Sequence, residues 1–376
     1  MNRDFSNRHV AALDGLRGCA ALAVTFFHGI LHYNVGLVGS VLYAPVITIS
    51  NWSDALNKAL LAVFNGDSAV LLFFVLSGYV LSGSIDRNLN KVGNAWVVSA
   101  DFFIKRCTRI YPAMIGCMLL YWVIFLMVGG KIEYPAVNFE VFWKSASLYE
   151  PTIHGPSWSL QVEMFAAPFV LLFVLLRRKF GFFALILAAC YATFAIDYPV
   201  LVGYLNNLWP YLLAFAIGVG VASPQISEIK FEVKPWHLAV AIFAFVFARH
   251  CVPRAGVSGL VAQSILGGMV VYTAASVRRG LIHRFLVSAP VLFMGRISYS
   301  FYLINVPILY LVWGVMSKVY PLQVVAYPLI AGLGSAFIST AITIPISAFS
   351  EKYIERLGIS LGKLLTFWSI PARQSA

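Results

Sequence analysis

The sequence predicts an all-α, polytopic membrane protein of about ten transmembrane helices, with both termini in the cytoplasm. Three observations carry this expectation. Of 376 residues, 60% are hydrophobic and only 11% are charged, and mean hydropathy is +0.82. A soluble domain carries about 25% charge, so the surplus apolar surface must meet lipid. Apolar windows of membrane-spanning length recur along the whole chain. Lys and Arg are divided unevenly between the loops that separate them.

The first span is expected at residues 12–32. Asp14 and Arg17 interrupt its apolar start, so it reads as a retained helix and not a cleavable leader. The second, 69–84, is short and ends in FFVLSGYVLSG. The third, 110–128, follows the basic cluster Lys105-Arg106-Cys107-Thr108-Arg109. The fourth, 158–176, opens after Gly155-Pro156-Ser157 and is stopped by Arg177-Arg178-Lys179. Pro156 lacks an N–H and suits a helix start, and Ser157 can cap it. The remaining spans are expected at 182–196, 201–222, 236–248, 257–277, 297–316 and 324–349.

Ten spans put both termini on one side, and most of the 27 Lys and Arg residues fall there. The other side keeps Lys58, Lys131, Lys144, Arg249, Arg254 and Lys318. The basic side is the cytoplasm. The net charge of +12 therefore signals topology and anionic ligands at the inner face, not nucleic acid. Two outer loops, 32–67 and 129–157, are long and contain Pro, Asn, Trp and Tyr; they suit an acceptor-binding mouth or a simple cap. Asn51-Trp52-Ser53 fits a glycosylation sequon, relevant only in a eukaryotic secretory setting. The five cysteines have no metal-ligand spacing and suggest no disulfide framework, and no metal is expected. Without repeats or long linkers, residues 1–376 read as a single membrane domain.

Arg17 and His28 are the most informative pair. Eleven residues at about 100° each bring them onto one helix face, about 16 Å apart along the axis. Ionisable groups at that depth are costly and usually line an interior path. His28 lies about 6 Å from the outer end of its span, and Glu163 about 7 Å from the outer end of the fourth. At matched depth they are placed to share one pocket, where a carboxylate can orient an imidazole that takes a hydroxyl proton. The other reading is two unconnected polar groups, each satisfied by a neighbouring helix. Arg106 and Arg109 share a helix face and, with Arg17, form a cradle for a phosphorylated donor, or else a stop-transfer cluster on lipid headgroups. Ser77-Gly78 suits close helix packing. In the ninth span Tyr302 and Asn305 stand at i, i+3, and Pro307 frees a backbone carbonyl. They line a cavity or pack between helices.

Together these segments resemble the membrane-bound acyltransferase 3 family. The resemblance rests on Leu13-Asp14-Gly15-Leu16-Arg17-Gly18 followed by His28, similar to that family's basic residue, ten-residue gap and histidine. It rests also on FFVLSGY at 73–79, on Arg106 and Arg109 ahead of Ile110-Tyr111-Pro112, and on Ser157-Trp158-Ser159-Leu160 with Glu163. It covers nearly the whole chain. It implies a stand-alone enzyme of the bacterial inner membrane that takes an acyl group, most simply acetyl, from cytoplasmic acyl-coenzyme A to a hydroxyl on the far side. The acceptor it implies is an envelope or lipid-linked sugar, with an antibiotic as the other acceptor class. Arg17, Arg106 and Arg109 would hold the coenzyme A phosphates. His28 would be the general base with Glu163 beside it, and Trp158, Ser159, Tyr302 and Asn305 would contact the acceptor. Many relatives carry histidine where this chain has Asn305. The alternative from another class is a proton-coupled small-molecule transporter using His28 and Glu163 as a relay. The oligomeric state cannot be read from the sequence.

Overall fold

The computed structural model describes residues 10–366 apart from 43, 45–48, 50, 151–152, 154, 206, 228–231 and 252–255. The side chains of Arg3, Arg8, Lys230, Arg249, Arg254 and Arg373, counted above for orientation, lie outside this set. Sixteen helices follow one another with no strand among the described residues. They are α1 (Ala11–His32), α2 (Trp52–Val63), α3 (Gly66–Val92), α4 (Ala95–Val128), α5 (Phe139–Ala146), α6 (Ser157–Phe180), α7 (Phe182–Asp197) and α8 (Leu212–Val221). Then come α9 (Pro224–Ser227), α10 (Pro235–Cys251), α11 (Val257–Ser276), α12 (Leu281–Leu286), α13 (Ala289–Val319), α14 (Pro321–Ala326), α15 (Pro328–Ser350) and α16 (Arg356–Leu365). Among the described residues, six helical stretches are long and apolar enough to cross a membrane: 52–92, 95–128, 157–180, 257–276, 289–319 and 328–365. The protein is an integral membrane protein. α1 is not in that group, because Arg17, His28 and His32 dilute its apolar sequence.

Asparagine starts several helices. Asn51, Asn65, Asn94 and Asn138 each accept a backbone N–H at the beginning of α2, α3, α4 and α5, which satisfies an otherwise orphaned donor. The Asn51 sequon is thus a helix cap in this fold. Both long loops, 32–67 and 129–157, contain a helix, α2 and α5. Lys58 of α2 is buried and donates to the carbonyls of Val41, Leu42 and Ala44, bracing the loop after α1.

α1 packs against α13, α15 and α3, and α3 against α8. These contacts are close because glycine faces backbone. A Cβ at Gly18 of α1 would stand 2.7 Å from the Gly295 nitrogen of α13. Gly78 of α3 meets the Phe215 carbonyl, and Gly218 of α8 meets the Val75 carbonyl, both too tightly for any side chain. Small residues at such crossings are the way helices associate in lipid, where no hydrophobic gain exists between them. The two crossings fix the neighbours Arg17 and Ser77.

Several helices differ from the expected spans. α3 runs past 84 to Val92, where Gly93 ends it in a left-handed conformation, φ 73°. α4 begins at Ala95, roughly four turns before 110, so the basic cluster is helical, as the shared face of Arg106 and Arg109 requires, and is continuous with the expected span. The expected span 201–222 is broken. Only Leu212–Val221 is α-helical, after a turn of 3₁₀ helix and left-handed residues Gly203, Tyr204 and Asn207, with Pro210 following. The expected span 324–349 is cut at Tyr327, because Pro328 disfavours a helical residue before it.

Candidate active site

Five helices, α1, α3, α4, α6 and α13, surround a cavity of about 260 Å³. Each contributes at least one polar side chain. Arg17 comes from α1, Ser77 from α3, Lys105, Arg106 and Arg109 from α4, Ser159 and Glu163 from α6, and Ser298, Tyr299 and Tyr302 from α13. The rest of the lining is largely apolar, so charges here interact more strongly than in water.

Glu163 is the hub. Ser77 Oγ donates to Glu163 Oε1 at 2.7 Å. Arg106 Nη2 stands 3.0 Å from the same oxygen and also donates to the Glu163 backbone carbonyl at 3.0 Å. Arg106 is only 9% exposed. A buried guanidinium requires such a partner, since an unpaired buried charge costs several kcal/mol, about 3–5 when one member of a pair is removed. Glu163 is half-buried with its open side toward the cavity.

The other cations differ in how they are satisfied. Lys105 Nζ pairs with Asp101 at 2.7 Å. Arg109 Nη2 pairs with Glu355 Oε1 at 3.3 Å, and its guanidinium lies over the Tyr299 ring, 5.6 Å from the centroid. Arg17 lines the same cavity within electrostatic reach of Arg109, Glu163 and Glu355. Among the described residues it makes no ion pair. A cation left free in a largely apolar cavity is a strong attractor for an anion.

His28 is not among the residues that line this cavity. It stands about 16 Å further along α1 than Arg17. Its charged neighbour is Asp67, in the first turn of α3. Gly66, next to Asp67, packs against the ring of Phe27, next to His28, so the two helices meet at this level. The expected meeting of His28 with Glu163 is not made. Matched depth from the outer ends was misleading, because Glu163 is drawn to Ser77, far down α3, and to Arg106 on α4.

The expected acceptor contacts divide in the same way. Ser159 Oγ and Tyr302 Oη are 2.9 Å apart at the cavity wall, and Tyr302 donates to the Pro156 carbonyl at 3.1 Å. Trp158 packs against the rings of Phe74 and Tyr211 instead. Asn305 is fully buried, and neither amide atom has a hydrogen-bond partner among the described residues. The carbonyl that Pro307 frees, that of Leu303, accepts from Cys117 Sγ at 3.3 Å. Ser77, Tyr299 and Glu355 were not foreseen as parts of the site. Ser77 sits in the FFVLSGY segment, but only the fold brings Glu163 to it.

A family model described as an acyltransferase domain, Acyl_transf_3, matches residues 10–349. This chain belongs to that acyltransferase family. One curated relative, an O-acetyl transferase of Shigella phage Sf6, is 26% identical over 113 residues, 26% of this chain and 32% of the relative. The match thus spans about a third of that relative's length. No solved structure matches the chain.

Proposed function

We propose that this protein is an O-acyltransferase that carries an acyl group, most simply acetyl, from cytoplasmic acyl-coenzyme A to a hydroxyl of an extracytoplasmic or lipid-linked sugar. The observation that carries the proposal is Arg17, which makes no ion pair among the described residues in a cavity whose other lining cations are held by carboxylates. Membership of the acyltransferase family supplies the reaction class.

In this reading the coenzyme A phosphates sit at Arg17 with Arg106 and Arg109, and the pantetheine arm runs along α1 toward His28. The acceptor hydroxyl gives its proton to His28. Its oxygen attacks the thioester carbonyl, the C–S bond breaks, and the departing thiolate recovers the proton. Glu163 and Ser77 fix Arg106, and Ser159 and Tyr302 face the donor arm or the sugar. Asp67 supplies the carboxylate near His28. The chain acts as one domain of the bacterial inner membrane. Ten crossings follow if α1 and the shorter apolar helices α7, α8 and α10 join the six long ones, and the basic side is the cytoplasm.

The test is direct. Purified protein is incubated with labelled acetyl-coenzyme A and an envelope glycan, and ester formation and free thiol are measured together. Stoichiometric ester and thiol are expected. With the same protein reconstituted into sealed vesicles, passage of label into the lumen without ester would favour a transporter and overturn the proposal.

A further inference from the structure

Glu355 lies beyond residue 349, where the family match ends, yet it reaches the cavity cations. It closes a π-helical turn, Glu351–Glu355, between α15 and α16. Such wide turns often mark functional positions, because they redirect a side chain that an α-helix would place elsewhere. Here the side chain is turned inward and only 6% exposed. Oε1 takes Arg109 Nη2 at 3.3 Å, and Oε2 accepts from Ser300 Oγ at 3.4 Å. Arg17 also lies within its electrostatic reach. The helix that follows holds it there. Gly358 and Gly362 of α16 pack against Thr108 of α4, one residue from Arg109. The Thr108 carbonyl that meets Gly358 is the one Pro112 leaves without a helical N–H.

We propose that Glu355 is an internal counter-anion that competes with the donor's phosphate for Arg109 and so sets donor affinity. Carboxylate and phosphate oxygens suit the same guanidinium fork, and one N–H cannot serve both fully. The two anions also repel each other in an apolar surrounding. A phosphate arriving at Arg17 must therefore push Glu355 off Arg109 or share it. Glu355 acts through Arg109, as a positioning residue. Because this rests on the donor cavity proposed above, the test separates the two.

The full chain, purified in detergent, is titrated with coenzyme A in a calorimeter as wild type, Glu355→Gln and Glu355→Asp. Glutamine removes the charge, and aspartate keeps it but falls short of Arg109. Both are expected to bind coenzyme A about fivefold or more tightly than wild type. In the transfer assay the donor KM should fall while the acceptor KM stays put. A carboxylate that merely braced the fold would give weaker binding in these variants, and equal or weaker binding overturns the inference while leaving the donor cavity intact. Failure of both variants to fold would assign Glu355 to the fold and overturn it too. If wild-type protein binds no coenzyme A, the donor cavity itself falls, and this inference with it.

Discussion

Two groups on α1 are expected to fail in different ways. Arg17 lines the cavity proposed to take the donor, and His28 stands about 16 Å away along the helix. Arg17→Ala should therefore weaken coenzyme A binding by roughly 10–100-fold, the worth of a charge-assisted contact, and Arg17→Lys should restore part of it. His28→Ala should leave that binding unchanged and cut turnover by roughly 10²–10⁴-fold, the usual scale of general-base help. Titration calorimetry and initial rates on the same preparations check both. A His28→Ala variant with full turnover removes the imidazole from the chemistry.

At the scale of helices, the buried pair between Asp86 of α3 and Arg177 of α6 tests how the scaffold is held. Arg177 is 3% exposed and its fork meets Asp86 and Ser82, while Arg178 reaches the other Asp86 oxygen at 3.3 Å. Asp86→Ala should destabilise the protein by about 3–5 kcal/mol, because it strands a buried guanidinium; Asp86→Leu with Arg177→Met should recover most of that. Thermal unfolding in detergent reads both. Gly218→Val should be damaging for a different reason. Its side chain would strike the Val75 carbonyl and force α3 and α8 apart, at about 1–3 kcal/mol or more. These helices also show what the sequence could and could not disclose. Apolar windows revealed that α1, α6, α11 and α13 exist, because burial in lipid imposes composition. Arg177 read only as a stop signal, since its partner lies 91 positions away. Arg17, Arg106 and Arg109, which line one cavity, were legible as a cluster because Arg106 and Arg109 share a helix face and the charge pattern of the loops put Arg17 at the matching end of its span. Ser77 and Glu355 were not, because their roles arise from contacts between distant helices. The His28–Glu163 pairing failed for the same reason: depth along a helix constrains one coordinate and leaves two open.

Across the whole molecule, the ionisable groups that the proposed reaction uses lie at two levels joined by α1. One level holds Arg17, Arg106, Arg109 and Glu163; the other holds His28 and Asp67. If the donor's nucleotide is gripped at the first and its thioester reacts at the second, the grip does work at a distance. Binding energy from a remote part of a substrate then appears in the rate of the reacting part. A truncated thioester such as acetyl-N-acetylcysteamine keeps the reacting bond and loses the phosphates. Its kcat/KM should fall by about 10³-fold or more against acetyl-coenzyme A, as two or three charge-assisted contacts are lost. The same truncation should erase the effect of Arg17→Ala, since nothing remains for Arg17 to hold, and should leave the effect of His28→Ala in full. Rates for both donors with wild type and the two variants complete the comparison. If Arg17→Ala slows the truncated donor as much as the whole one, Arg17 serves the acyl end or the fold, and the two-level arrangement along α1 is wrong.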